Sequence, residues 1–235
     1  MAAVSTTLDN IVAHWKLDSS DGGVTADASG NGYTLTNNNT VGSATGKQGN
    51  GVDCTPNDNL SITEQAAFRY TGSNNLSCSF WFKTDSVAAG TIGIVGMYNG
   101  TATGEEWLVY RNGANLEVAI RGSGTTFTST AISTGTWYHV VLTMDSSNAY
   151  KLYVNGAAPK TASGATGSSN DTLEFRIGAY GKTATGFFDG IIDEVTLTSD
   201  IITSGEVATL YNSGNGIPWT EAAGSTFTPR VSFIM

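Results

Sequence analysis

The side chains best suited to chemistry in this chain are oxygen donors, and they fall in two stretches. In Asp27-Ala28-Ser29-Gly30-Asn31-Gly32, side-chain oxygens stand at alternate positions, as in the first half of an EF-hand loop. The twelfth position of such a loop needs a bidentate glutamate, and Asn38 occupies it here, so the segment is not a complete EF-hand. The second stretch is Gly190-Ile-Ile-Asp193-Glu194-Val-Thr-Leu197. A regular strand would give Ile191, Asp193, Val195 and Leu197 one parity, placing the Asp193 carboxylate on an apolar face. A carboxylate there is costly unless neutralised, and a bound cation would neutralise it. Hard oxygen donors alone favour calcium over zinc. The competing reading gives Asp27 and Asn31 only Asx turns.

Catalytic constellations are absent by pattern. A retaining glycosidase needs two carboxyl groups about 5 Å apart, whereas the adjacent Glu105 and Glu106 would point to opposite faces of a strand. His14 and His139 each sit beside an aromatic residue, and no G-x-S-x-G sequence occurs. The expectation is a protein that is not an enzyme. Sugar binding asks for exposed rings to stack and for amides or charged groups to meet hydroxyls. The candidates are Tyr98, Asn99, Trp107, Tyr110, Arg111 and Tyr180, with core packing the alternative for Trp107.

The elements that must position these residues are short strands. Asn112-Gly113 separates Glu106–Arg111 from Leu116–Arg121, a strong hairpin signal, and Tyr138–Met144 with Tyr150–Val154 form a second hairpin around 145–148. Asn-Gly or Asp-Gly pairs at 21, 31, 50, 99, 155 and 189 mark further turns. Helical periodicity is confined to Ser204–Tyr211, a single short helix. The fold class is therefore all-β: a two-sheet antiparallel sandwich or jelly roll with one short C-terminal helical turn. The reading divides the chain into an N-terminal arm at 1–10, one domain at 11–219 and a C-terminal tail at 220–235.

Composition narrows the partners. The 235 residues carry a net charge of −9 and no basic run, which argues against nucleic acid. No apolar stretch approaches the roughly 20 residues of a bilayer-spanning helix. Residues 1–10 lack the basic and apolar regions of a signal peptide. Together these point to a virion or other extracellular surface assembly. In the tail, Phe227, Val231, Phe233 and Ile234 present an apolar strand pattern, predicted to join a second copy or a shell or filament protein. Cys54 and Cys78 share parity with apolar neighbours; they read as small core residues or, alternatively, as a disulfide between strands.

Several segments in order resemble laminin G-like jelly rolls of the concanavalin A-like type: Ala13-His-Trp15-Lys-Leu17-Asp18, Asp27-Ala-Ser-Gly-Asn31-Gly32, Gly46-Lys-Gln-Gly49-Asn-Gly-Val52, Leu76-Ser-Cys-Ser-Phe80-Trp81-Phe-Lys83, Gly135-Thr-Trp137-Tyr-His139-Val and Lys151-Leu-Tyr153-Val-Asn155-Gly156. The ending Gly190-x-Ile-Asp193-Glu194-Val with Ser204-x-Glu206-Val-x-x-Leu210-Tyr211 is similar to the family's last strand and closing helix. Cys54 departs from the pattern where an aromatic residue is commoner. The resemblance covers residues 11–214 and implies a carbohydrate- or surface-binding module, with a structural calcium shared by the first and last strands through Asp18 and Asp193. It also implies that Trp15, Trp81 and Trp137 pack in core strands. Glucanases on this fold carry E-x-D-x-E strands, which this chain lacks. The expected role is decoration of an assembly and binding of glycans or cell-surface polysaccharide. The alternatives are a module of a larger secreted adhesin or glycosidase and, more distantly, a glucanase.

Overall fold

The computed structural model of the chain describes residues 10–18, 24–98, 105–120, 125–164, 173–180 and 186–217. Its strands are β1 (Ile11–Trp15), β2 (Thr36–Asn38), β3 (Gly42–Thr45), β4 (Asn50–Cys54) and β5 (Asn59–Ile62). They continue with β6 (Leu76–Thr84), β7 (Thr91–Tyr98), β8 (Glu105–Asn112), β9 (Asn115–Ile120) and β10 (Thr125–Ala131). The remainder are β11 (Trp137–Met144), β12 (Ala149–Val154), β13 (Lys160–Ser163), β14 (Phe175–Ile177) and β15 (Gly190–Thr198), closed by helix α1 (Ser204–Tyr211).

These strands form two antiparallel sheets. Sheet A runs β13-β12-β11-β6-β15-β4-β3, with β1 also paired to β15; sheet B runs β10-β9-β8-β7-β14-β5-β2. Both predicted hairpins are present: β8 pairs β9 from Trp107↔Ile120 to Asn112↔Asn115, and β11 pairs β12 from Val140↔Val154 to Met144↔Tyr150. Long strands in the middle of each sheet bury alternate residues in a common core. There Trp15 stacks on Phe175 at 5.1 Å, while the Trp15 and Trp107 indoles donate to the carbonyls of Tyr33 and Phe68. Cys54 and Cys78 are both buried free thiols, so the disulfide alternative does not hold.

Two local expectations change. Asn50-Gly51 opens β4 instead of forming a turn; the chain reverses just before it, at Lys47–Gly49, with Gly49 left-handed at φ 59°. Asp193 does not share a face with Val195 and Leu197. The β15–β6 register shifts between Asp193 and Thr196, and Glu194 adopts φ 53°. This bulge inserts one residue, so Ile192, Val195 and Leu197 enter the core while Asp193 turns to the opposite face of the sheet, buried against the β3–β4 turn.

Helix α1 has its ends and buried face specified locally. Thr203 accepts the Glu206 amide and Glu206 returns a carboxylate to the Thr203 amide, a complete capping box. Val207 and Leu210 then pack on Val141, Tyr153 and Ile202, which covers the outer face of sheet A.

Candidate binding face and acidic centre

Directly paired residues of neighbouring strands share a face, so the registers place each candidate. Trp107 pairs Met97 and Ile120 on the core side; it is fully buried and offers no surface to a ligand. Arg111 is likewise buried, its Nη1 donating to the Ala88 carbonyl. Neither therefore joins the sugar platform expected of it. The intervening residues point the other way. Leu108 and Tyr110 cluster with Ala119 on the outer face of sheet B, and Tyr180 packs against them. Asn99 and the side chain of Tyr98 lie outside the described residues, as do those of Glu105 and Glu106.

The same face carries polar groups that no sequence motif connects. One row runs Thr36–Ser61–Arg176–Gly96–Leu108–Ala119 across β2, β5, β14, β7, β8 and β9. Asn38 Nδ2 donates to Asn59 Oδ1 at 3.1 Å and to Ser61 Oγ at 3.0 Å. Arg176 Nη1 donates to Asn59 Oδ1 at 2.8 Å, while Nη2 pairs with the Glu174 carboxylate. The floor of this face is largely buried, with Arg176 9% exposed and Tyr110 7%. Thr36, Asn38, Glu117, Glu174 and Tyr180 reach solvent more freely. Gly96 puts no side chain between Arg176 and Leu108, so the polar groups and the cluster of Leu108, Tyr110 and Ala119 lie on one face.

The acidic candidates separate into two places. Asp27 accepts backbone amides from His14 (3.0 Å), Ser29 (2.9 Å) and Tyr33 (2.9 Å), pinning its loop to β1. Burial alone would raise its pKa, but these hydrogen bonds hold it below the usual carboxylate value. Asn31 donates to the Val12 carbonyl at 2.9 Å. Asp27 thus makes the Asx turn, through the Ser29 amide, whereas Asn31 ties the loop to β1 through a long-range bond instead.

Asp18 and Asp193 instead meet the turn between β3 and β4. Asp193 Oδ2 accepts the amides of Lys47 (2.6 Å) and Gln48 (2.9 Å), and Asp18 Oδ1 accepts that of Asn50 (2.5 Å). Asp193 is fully buried, and its Oδ1 has no hydrogen-bond partner. Burial pushes its pKa up to about 8; the charges of Glu194 and Asp18 act in the same direction, and the two amides oppose them. Glu194, swung away by the bulge, lies 3.0 Å from His14 Nε2. Among the described residues no group of three or more His, Cys, Asp or Glu side chains is arranged to hold a metal. A cation at Asp193 Oδ1 would therefore draw most of its remaining ligands from carbonyls or water.

One further pair was not anticipated. Ser79 Oγ and His139 Nε2 lie 3.0 Å apart on neighbouring strands. His139 Nδ1 is buried without a partner, and burial holds the imidazole pKa near 3. Trp81 and Tyr211 pack on the ring. Without a carboxylate on Nδ1, and sealed beneath α1, the pair lacks what a nucleophile and base require.

The geometry agrees with the comparisons. The Laminin_G_3 family model, described as the concanavalin A-like lectin/glucanases superfamily, matches residues 55–208, and the chain belongs to this family. Among solved structures, the chain resembles domain 4 of AbnA, a GH43 extracellular arabinanase from Geobacillus stearothermophilus in complex with arabinotriose. That match has a TM-score of 0.65 at 20% identity and covers 88% of this chain and 98% of that one. It also resembles the binding domain of Paraclostridial Mosquitocidal Protein 1 (TM-score 0.67, 17% identity, 88% of this chain and 52% of that one). The botulinum neurotoxin serotype G binding domain is similar too (0.67, 16%, 86% and 50%). The chain thus spans about half of these toxin binding domains. No curated protein matches the sequence.

Proposed function

We propose that the chain is a non-catalytic glycan-binding domain whose ligand lies along the outer face of sheet B. The observation that carries this reading is that Asn38, Asn59, Ser61, Glu174 and Arg176 share one sheet face with the cluster of Leu108, Tyr110 and Ala119 on which Tyr180 packs. Amide, hydroxyl and ion-paired groups suit sugar hydroxyls, and tyrosine edges suit the apolar faces of sugar rings. The net charge of −9 favours a neutral polysaccharide over an anionic one. A structural relative solved with arabinotriose supports the same ligand class.

Calcium belongs to this reading as a structural ion. Asp193 Oδ1 is its anchoring ligand, with Asp18 beside it across the β3–β4 turn. The finer assignment, a decoration protein of a virion or other extracellular assembly, rests on the apolar pattern at 227–234. A second reading, a module within a larger secreted adhesin or glycosidase, is favoured by the match to nearly all of one domain of an arabinanase.

The test is affinity electrophoresis of the full chain through immobilised neutral polysaccharides, arabinan among them. Retardation by at least one, reduced by about tenfold in Tyr180→Ala and Glu174→Gln, supports the assignment. Retardation that both variants retain places the ligand elsewhere on the domain.

A further inference from the structure

Arg176 is the one positive charge that the strands of sheet B turn outward. Their sequences hold two arginines and no lysine, and the other arginine, Arg111, pairs Ile92 and Leu116 on the core side. Burial lowers the Arg176 pKa from its ordinary value, and the charge of Glu174 opposes that shift. Nη2 pairs with the Glu174 carboxylate, and Nη1 donates to Asn59 Oδ1 at 2.8 Å. Glu174 is the outer member of the pair, its side chain 34% exposed against 11% for that of the arginine. The carboxylate is therefore the member that an approaching ligand meets first.

A guanidinium presents a planar fork of donors that fits a carboxylate at two points. A sugar acid carries such a carboxylate, but here its place on Arg176 is taken by the chain's own Glu174. An acidic ligand would also meet two negative charges on this face. One is Glu174, and the other is Glu117, directly opposite Tyr110 in the β8–β9 register. Like charges juxtaposed at an interface are strongly unfavourable. A neutral sugar meets no such barrier, because its hydroxyls donate to carboxylate oxygens.

We infer that Glu174 sets the ligand class of this face: paired with Arg176 it excludes acidic sugars such as uronates, and without it the guanidinium would bind them. This rests on the glycan-binding reading of sheet B and assigns the choice between neutral and acidic ligands to one ion pair. The net charge of −9 acts in the same direction but from a distance. At physiological ionic strength the screening length is about 8 Å, so remote charges count for little, whereas a partly buried contact pair is screened much less.

The experiment titrates the full chain with soluble polygalacturonate and, in parallel, with soluble arabinan. The wild-type chain should bind arabinan and not polygalacturonate. Glu174→Gln should bind polygalacturonate at least about tenfold more tightly than wild type, with an affinity that falls as salt rises, while its arabinan affinity drops. Glu174→Ala, which vacates the same place, should show the same gain, and adding Arg176→Gln to either variant should abolish it. Damage to the fold would lower both affinities and so cannot produce the gain. Tight polygalacturonate binding by the wild-type chain overturns the inference, as does a gain that survives the Arg176 substitution. Retained arabinan binding by wild type with no gain in either Glu174 variant counts against Glu174 alone. Failure of the wild-type chain to bind any neutral polysaccharide counts instead against the glycan reading itself.

Discussion

The Oδ2 atom of Asp193 lies 2.6 Å from the position that a Cβ on Gly46 would occupy. The two residues are 147 positions apart in sequence, yet the absence of a side chain at one lets the carboxylate of the other reach the Lys47 and Gln48 amides. The last strand of sheet A is thereby stapled to the turn that joins β3 and β4.

Gly46→Ala should break that fit. Its added carbon would also meet the Asn50 carbonyl carbon at 2.6 Å, and backbone cannot rotate aside as a flexible side chain can. The expected loss is about 1–3 kcal/mol, the usual cost of overpacking, read from urea denaturation. Unchanged stability would show that the turn shifts freely and that the staple is unimportant.

The pH dependence separates two buried groups. His139 titrates near 3 when folded against 6.5 unfolded, so below pH 6.5 the unfolded chain binds a proton that the folded one refuses; stability falls as pH drops from 6.5 toward 3. Asp193 is the reverse: folded near 8 and 3.8 unfolded, it makes stability fall as pH rises from about 4 to 8. Only Asp193 acts above pH 6.5. In the presence of a chelator, the decline between pH 6.5 and 8 should be at most about 2 kcal/mol, at 1.36 kcal/mol per pKa unit, and absent in Asp193→Asn. His139→Gln should flatten the acid side alone.

Calcium should raise the melting temperature of the chain relative to chelator, and Asp193→Asn should remove the difference. If the ion binds only the folded state, a 100-fold excess over Kd adds about 2.7 kcal/mol. Equal melting temperatures with and without calcium would leave the amides of the β3–β4 turn as the sole compensation for the carboxylate.

Thr203→Ala removes one half of the capping box of α1 and should cost about 1 kcal/mol. Because Tyr211 of α1 stacks on Trp81 and His139, near-ultraviolet dichroism should weaken along with stability. Thr203→Ser, which keeps the hydroxyl, should restore both.

Trp107→Phe is the control for the binding face. It loses the indole hydrogen bond to Phe68 in the core, worth about 1 kcal/mol of stability, and should leave polysaccharide binding unchanged. A binding defect equal to that of Tyr180→Ala would mean the sheet B face responds to the core beneath it.

Local patterns determined much of this molecule. Alternating apolar residues around Asn112-Gly113 and in 138–154 specify hairpins whatever surrounds them, and the Thr203 to Glu206 spacing specifies where the helix begins. The turn at Asp27 was likewise legible, because its Asx bond to the Ser29 amide is made within a few residues, whereas the bond from Asn31 to Val12 depends on β1 lying alongside. Tertiary structure decided the rest. Alternation shows that Trp107 and Tyr110 differ in face, but only sheet packing tells which one is inside. The Glu194 bulge arises from pairing with β6 and cannot be seen in β15 alone, so simple parity put Asp193 with Val195 and Leu197 when it faces outward. The row joining Asn38, Asn59 and Arg176 comes from three strands far apart in the chain. Hydrogen bonds of that kind depend on sheet register, which long-range packing sets and no short window of sequence contains.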